Sequence, residues 1–386
     1  MKIGFDISQT GRGKAGCGFF ADSLIRTLTS LDDENEYILY PNFGTSFWDP
    51  GAARTIRMID RPNVSGKRVT AGFDESMAFW KDLPLDADKR LGYPDIIHAN
   101  NYSCPKGLRN ARLVYTLYDL SFLEFPELTT EQNRCVCFEG IFDASIYSDF
   151  IISISHYTKK IFLETFPHFP PERIRVVHLG SRFHQKNSNG RKSRILKKLQ
   201  PDQFWLSVCT LEPRKNLRRI LKAFALFKRQ TGRSYPLVLA GGKGWMEDDL
   251  EENVRLLGLT DSVFLPGYVS DDDLSWLYGN CFCFVYPSLY EGFGMPVLEA
   301  MGMGAAVITS NSTSLPEVAG DAARYVNPFD EADITGAFRE LCEDDDCRKG
   351  LKKKALVRSG LFSWEKSTAE VLDIYNEVME MPKRQF

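Results

Sequence analysis

Pro287-Ser288-Leu289-Tyr290-Glu291-Gly292-Phe293-Gly294-Met295-Pro296-Val297-Leu298-Glu299-Ala300 is the stretch on which the reading of this chain turns. It follows an apolar run, Cys281 to Tyr286, that reads as a buried strand. Gly292 and Gly294 break the run, and Pro296 to Met303 reads as a short helix with proline in its first turn. The order is therefore strand, glycine loop, helix. Such a segment aims backbone N–H groups and a helix N-terminus beyond the carboxyl edge of a sheet, a setting that suits an anion. Glu291 falls in the loop and Glu299 further along the helix, so the two acids approach one ligand from different heights.

The same alternation extends in both directions. Downstream of the midpoint, strands are expected at Phe204 to Cys209, Leu237 to Ala240, Val263 to Leu265, Cys281 to Tyr286 and Ala306 to Thr309. Helical spacing falls between them at Leu217 to Gln230, Glu247 to Leu257 and Asp271 to Tyr278. In the N-terminal half, strands are expected at Lys2 to Ile7, Glu36 to Tyr40, Ile96 to Ala99, Leu113 to Leu117 and Phe150 to Ile154, with a helix over Phe20 to Leu31. Strands alternating with helices mean parallel sheets covered on both faces, with ligands beyond the strands' carboxyl ends. The polar, basic stretch Lys186 to Arg194 reads as a linker, with an anionic lipid surface as the other reading of its charge. The tail carries Ser363 as an N-cap for a last helix through Leu372, Tyr375 and Val378.

Bulk properties bound the function. A chain of 386 residues supports two domains, each with its own core. A formal net charge of −3 argues against a nucleic-acid partner. No apolar run approaches the length of a membrane span, and Met1 to Ile7 reads as a strand and not a leader, so a cytoplasmic protein is expected. Nine cysteines are scattered, the C-x-C pairs Cys135/Cys137 and Cys281/Cys283 read as buried free thiols, and the five histidines lack metal spacing. Asp86-Ala87-Asp88 and the acids Asp271, Asp272 and Asp273 read as caps or first-turn acids of helices, so no metal is expected.

Four further loops follow strands. Thr210-Leu211-Glu212-Pro213-Arg214-Lys215-Asn216 sets two adjacent cations before a long helix, where they oppose the helix dipole. Arg and Lys together can hold a diphosphate, the first bidentately and the second as a point charge. Leu239-Ala240-Gly241-Gly242-Lys243-Gly244-Trp245 is a glycine turn that allows close backbone approach. Gly11-Arg12-Gly13-Lys14-Ala15-Gly16-Cys17-Gly18 contains G-x-G-x-x-G, but the second strand ends Tyr40-Pro41-Asn42 without the acid a dinucleotide site wants. No Lys-Ser/Thr pair completes a Walker A loop either. The fourth is Tyr115-Thr116-Leu117-Tyr118-Asp119-Leu120-Ser121-Phe122.

These segments together resemble the retaining glycosyltransferases of family 4, whose signature is E-x7-E and whose fold is GT-B. The likeness is to the bacterial mannosyltransferases of that family, and it is strongest from Phe204 to Asn327. It implies an α/β chain of two Rossmann-like doubly wound domains facing across a cleft: an acceptor-side domain over 1–190, a nucleotide-sugar domain over 191–365, and a last helix, 366–386, crossing back to the first. Arg214 and Lys215 match the cations that neutralise the leaving diphosphate, Glu291 the acid near the donor sugar, and Glu299 the acid on the ribose hydroxyls. Gly292, Phe293, Gly294, Met295 and Leu298 complete that side of the donor site. Gly241 matches its glycine turn, and Val269, in Gly267-Tyr268-Val269, the backbone that reads the base. In the first domain Gly16 and Gly18 match the loop over the donor phosphates, Asp119 an acid that orients acceptor or sugar, and Ser155 a cleft residue that would serve equally as an N-cap. The chain departs from the pattern at Tyr118, where the family has histidine against the donor sugar, and at Cys209, where it often has glycine.

The implied activity is transfer of a hexose, mannose from GDP-mannose, to a saccharide or lipid-linked saccharide in surface-polysaccharide assembly. Catalysis would rest on Glu291, Asp119, Arg214 and Lys215, with no cofactor and no metal, and with peripheral contact at the inner face of the cytoplasmic membrane. The alternatives are a GT-B nucleotide-sugar epimerase, which needs no acceptor, and a non-catalytic nucleotide-sugar-binding module, suggested by Tyr118.

Overall fold

The computed structural model describes residues 1–45, 50–69, 72–184, 193–233, 235–244 and 249–384. The basic stretch, up to Lys192, lies outside them, as do Trp245, the first residues of the helix expected from Glu247, and the expected boundary at 190/191. The chain divides into two compact units, Met1–Gly180 with Ser363–Phe386, and Ser181–Phe362.

The first unit holds a seven-stranded sheet in the order β3-β2-β1-β4-β5-β6-β7. Its strands are β1 (Lys2–Asp6), β2 (Glu36–Tyr40), β3 (Val64–Gly66), β4 (Ile96–Ala99), β5 (Arg112–Leu117), β6 (Phe150–Ser153) and β7 (Ile174–Val176). Each neighbouring pair is parallel. The central strands are buried along nearly their whole length because helices cover both faces, which is why they read as apolar runs without alternation. The helix Trp364–Glu380 belongs to this unit. Its buried residues Trp364, Thr368, Val371, Tyr375 and Val378 recur every three or four positions, and the Ser363 side chain caps it by accepting from Lys366 N at 3.2 Å. Past its end, Lys383 Nζ donates to the carbonyls of Leu108, Arg109 and Ala111 at 2.9, 2.7 and 3.0 Å.

The second unit holds a six-stranded parallel sheet in the order β10-β9-β8-β11-β12-β13. These strands are β8 (Trp205–Val208), β9 (Leu237–Ala240), β10 (Val263–Gly267), β11 (Cys283–Tyr286), β12 (Val307–Ser310) and β13 (Arg324–Val326). The chain runs from β8 outward to β10 and then returns to pair β11 against the other side of β8, with Trp205 opposite Cys283. That reversal makes a topological switch point between β8 and β11, and it is beyond the strands' carboxyl ends at such a point that open parallel sheets bind ligands. Both sequence segments with the strongest chemistry are the loops that follow these two strands. The nine cysteines are free thiols; Cys281 and Cys283 are buried, and Cys135 is exposed. Asp271, Asp272 and Asp273 form the first turn of a helix capped by Ser270, and Asp86 takes the N-cap position of another.

Candidate active site

After β8, Pro213–Lys215 forms a single 3-10 turn that Asn216 ends in the left-handed region, at φ 61°. Asn216 is held there by its side chain, which donates to the carbonyls of Pro287 and Pro328 at 2.9 and 2.7 Å. The loop after β8 is thus tied directly to the loop after β11. A second tie runs from Leu289 N to the Arg214 carbonyl at 2.9 Å, and a third from Ser288 Oγ to the same carbonyl at 2.9 Å.

This lacing brings three of the expected residues into contact. Lys215 Nζ lies 2.6 Å from Glu291 Oε1, and Arg214 Nη1 lies 3.3 Å from Glu291 Oε2. Two hydroxyls complete the cradle: Tyr286 donates to Glu291 Oε1 at 2.9 Å and Ser288 at 2.7 Å, while Lys215 donates to the Tyr286 oxygen at 3.0 Å. Arg214 is held from behind by Glu212, whose Oε1 accepts from Nε at 3.0 Å and Nη2 at 2.8 Å. Glu291 is 6% exposed and Lys215 8%. Burial would push the Glu291 carboxyl up, but Lys215, Arg214 and the Ser288 hydrogen bond bring it down to about 2. It is therefore a fixed anion at neutral pH. Burial, then the neighbouring Glu291, drives the Tyr286 hydroxyl well up, so it remains a donor.

Glu299 sits apart from this cluster, in the helix Met295–Gly302. Its two oxygens are engaged separately, Oε1 by Arg182 Nε at 2.6 Å and Oε2 by the Tyr278 hydroxyl at 3.0 Å. Arg182 also lies 3.6 Å from Asp271. Gly294 N-caps the helix at φ 105°, a conformation that only glycine takes without strain, and Met295 and Pro296 open it. Phe293 and Leu298 are buried beside it. Gly241, at φ 150°, touches the backbone of the first loop: a Cβ there would lie 1.7 Å from the Cys209 carbonyl oxygen. Its N–H donates to the Gly267 carbonyl at 2.9 Å, so the loops after β8, β9 and β10 are zipped side by side. The Cys209 side chain is buried, and burial pushes its thiol up to about 12, leaving it inert. Val269 is buried next to the exposed Tyr268.

The remaining expected residues lie in the first unit. The helix Gly16–Leu31 starts after Ala15 with no side-chain cap. Gly18 is required by packing, since a Cβ would fall 2.2 Å from the Gln9 carbonyl oxygen, whereas Gly16 faces open space. Asp119 Oδ1 accepts from the Ser121 backbone and hydroxyl at 3.1 and 2.8 Å. Tyr118 is buried, and its hydroxyl donates to the Asn100 carbonyl at 2.9 Å. Within its own unit the tyrosine that replaces the family's histidine is a satisfied interior residue. Ser155 is the N-cap of the helix His156–Thr165, accepting from Thr158 N.

Glu212, Tyr286, Ser288, Tyr278 and Arg182 were not singled out from the sequence. Ser288 and Tyr286 stood within or beside the decisive stretch, and Glu212 beside the cations, so adjacency was a usable signal. Arg182 lies 117 positions from Glu299, and nothing local announces the pair.

The model of the family "Glycosyl transferases group 1" matches residues 189–358. O-antigen chain mannosyltransferase B of Escherichia coli is 34% identical over 393 residues, which cover 97% of this chain and 99% of that one. The chain belongs to the group 1 glycosyl transferases. O-antigen chain mannosyltransferase RfbU of Salmonella typhimurium is 26% identical over 338 residues, covering 87% of this chain and 90% of its own. Among solved structures, sucrose-phosphate synthase from Thermosynechococcus elongatus superposes with a TM-score of 0.77 at 18% identity, covering 98% and 99% of the two chains. WaaG, a glycosyltransferase involved in lipopolysaccharide biosynthesis, gives 0.71 at 15% identity, covering 96% and 99%. These likenesses show the fold, so this glycosyltransferase has the GT-B architecture of two parallel α/β sheets.

Proposed function

We propose that this glycosyltransferase is a retaining enzyme of family 4 that transfers mannose from GDP-mannose to a saccharide or lipid-linked saccharide in surface-polysaccharide assembly. The observation that carries the reading is the contact of Arg214, Lys215 and Glu291 at the switch point between β8 and β11. The near full-length likeness to an O-antigen chain mannosyltransferase supports the choice of sugar. A nucleoside diphosphate would lie against Arg214, Lys215 and the glycine-capped start of the helix Met295–Gly302, with its ribose on Glu299 and its base near Val269. Gly292, Phe293, Gly294, Met295 and Leu298 shape the sugar side, and Gly241 permits close backbone approach.

In this reading the glycosidic C–O bond of the donor breaks as Arg214 and Lys215 stabilise the charge on the departing diphosphate. The acceptor hydroxyl attacks from the same face, and its proton passes to the diphosphate oxygen that leaves. Arg214 and Lys215 would take the place of a metal at the diphosphate in this reading. Among the described residues no helix is long and apolar enough to cross a membrane. A lipid-linked acceptor would be met by surface contact at the inner face of the cytoplasmic membrane.

Calorimetric titration with GDP, UDP, ADP and dTDP, followed by incubation with GDP-mannose and lipid-linked saccharide, tests the assignment. Tight binding of GDP above the others and an α-linked product are expected, with EDTA without effect. Lys215→Ala and Glu291→Ala should each lower turnover by at least about tenfold, because each removes a charge-assisted contact to the reacting donor. Near-normal rates in either folded variant would refute the site.

A further inference from the structure

The charges around the proposed diphosphate site cancel. Arg214 and Lys215 face Glu212 and Glu291, two cations against two carboxylates, all within 3.7 Å of an opposite partner. Yet the two acids are used differently. Glu212 serves Arg214 through two hydrogen bonds and is 3.7 Å from Lys215. Of the two acids, Glu291 is the one that takes a hydrogen bond from the Lys215 ammonium, at 2.6 Å. A carboxylate oxygen and a phosphate oxygen present the same acceptor to an ammonium group, so the position nearest Lys215 is filled from within.

We infer that Glu291 is an internal counter-anion of the donor site, which binding of the diphosphate must displace from Lys215. The inference rests on the donor reading above. Glu291 need not move for the exchange. Tyr286 and Ser288 hold the same carboxylate oxygen at 2.9 and 2.7 Å and keep it in place when the lysine turns to phosphate. The exchange has two consequences. The carboxylate is released to accept a hydrogen bond from a sugar hydroxyl only when a diphosphate is present. The product diphosphate is also held less tightly than two unopposed cations would hold it, which favours its release.

The distinguishing prediction is an affinity gain from loss of a signature acid. GDP is titrated calorimetrically into the full-length wild type, Glu291→Gln, Lys215→Ala and the double variant. Glu291→Gln keeps the shape and removes the charge, and it should bind GDP roughly five- to tenfold tighter while its turnover falls. Lys215→Ala should bind more weakly, and Glu291→Gln should tighten binding less in the Lys215→Ala background than in wild type, because the shorter of its two ion pairs is with the lysine. A folded Glu291→Gln that binds GDP no tighter than wild type overturns the inference. Should that variant melt below the assay temperature, Glu291→Asp takes its place. Its shortened carboxylate pulls back from Lys215, so a smaller tightening supports the inference and none overturns it. Wild-type protein that binds no nucleoside diphosphate would instead remove the donor reading. Wild type and Glu291→Gln are then titrated with inorganic pyrophosphate, where tighter binding by the variant supports the exchange and equal or weaker binding overturns it.

Discussion

Glu299 is a buried charge that survives because both of its oxygens are used. The residue is 2% exposed, with Arg182 on one oxygen and Tyr278 on the other. Arg182 is itself mostly buried, so the pair lies away from bulk water, and removing one member strands the other. Arg182→Ala should therefore destabilise the second unit by about 3 kcal/mol. Adding Glu299→Gln should recover most of that loss, because the amide carries no charge to strand. Urea unfolding of the two single variants and the double variant measures the coupling; additive losses would mean that the contact is not formed in solution. The same pair predicts a nucleotide effect. In the proposed donor site Arg182 would orient the carboxylate towards the ribose hydroxyls, so Arg182→Ala should weaken GDP binding, and Arg182→Lys should weaken it less.

At the scale of elements, the site is made by loops at the carboxyl edge of the second sheet, and backbone contact holds them in register. Gly241 is the critical point, because a Cβ there would overlap the Cys209 carbonyl oxygen at 1.7 Å in a backbone conformation with φ 150°. Neither the strand end nor the glycine can yield alone: Cys209 N is bonded to the Ala240 carbonyl and Gly241 N to the Gly267 carbonyl. Gly241→Ala should cost at least about 2 kcal/mol of stability and lower turnover through the displaced cations. Chemical denaturation and a rate assay check it, and Gly242→Ala, where a Cβ meets nothing within 4 Å, is the control. The sequence made this edge legible because glycines and paired charges after apolar runs are local signals. The strands it did not reveal, β3, β7 and β13, are three-residue edge strands, partly exposed and too short to form an apolar run. Tyr118 was open to a ligand role because a sequence does not show where a side chain points. The Asn100 carbonyl that takes its hydroxyl is 18 positions away. The partnership of Arg182 with Glu299 was hidden for the same reason at longer range.

For the molecule as a whole, the two units differ in how pH acts on them. In the second, Glu291 has its carboxyl lowered to about 2, so its contribution is full above about 4.5 and is lost only as pH falls towards 2. In the first, Asp6 ends β1 with burial as the dominant influence, and among the described residues no cation pairs with it. Its carboxylate accepts from Ser8 N at 2.8 Å, from Asn100 N at 3.2 Å and from the Ser8 side chain, but burial outweighs these bonds and raises it to about 7. A raised carboxyl means that the folded unit holds a proton the unfolded chain has released. Stability is then fully present below the ordinary value of 3.8 and is lost as pH rises through about 7. His98, on the adjacent strand β4, acts in the opposite sense. Burial lowers it to about 3, so the folded unit disfavours its charged form and loses stability as pH falls below 6.5. The first unit should therefore be limited by Asp6 on the alkaline side and by His98 on the acid side. Asp6→Asn removes the first limit. At pH 8 it should stabilise the first unit by about 2 kcal/mol, less than the full linkage energy because the amide cannot accept from both backbone donors. At pH 4.5 the advantage should largely vanish. Scanning calorimetry of wild type and variant at both pH values tests this, and an equal shift in melting temperature at pH 4.5 and pH 8 would show that Asp6 is ionised in the fold throughout that range.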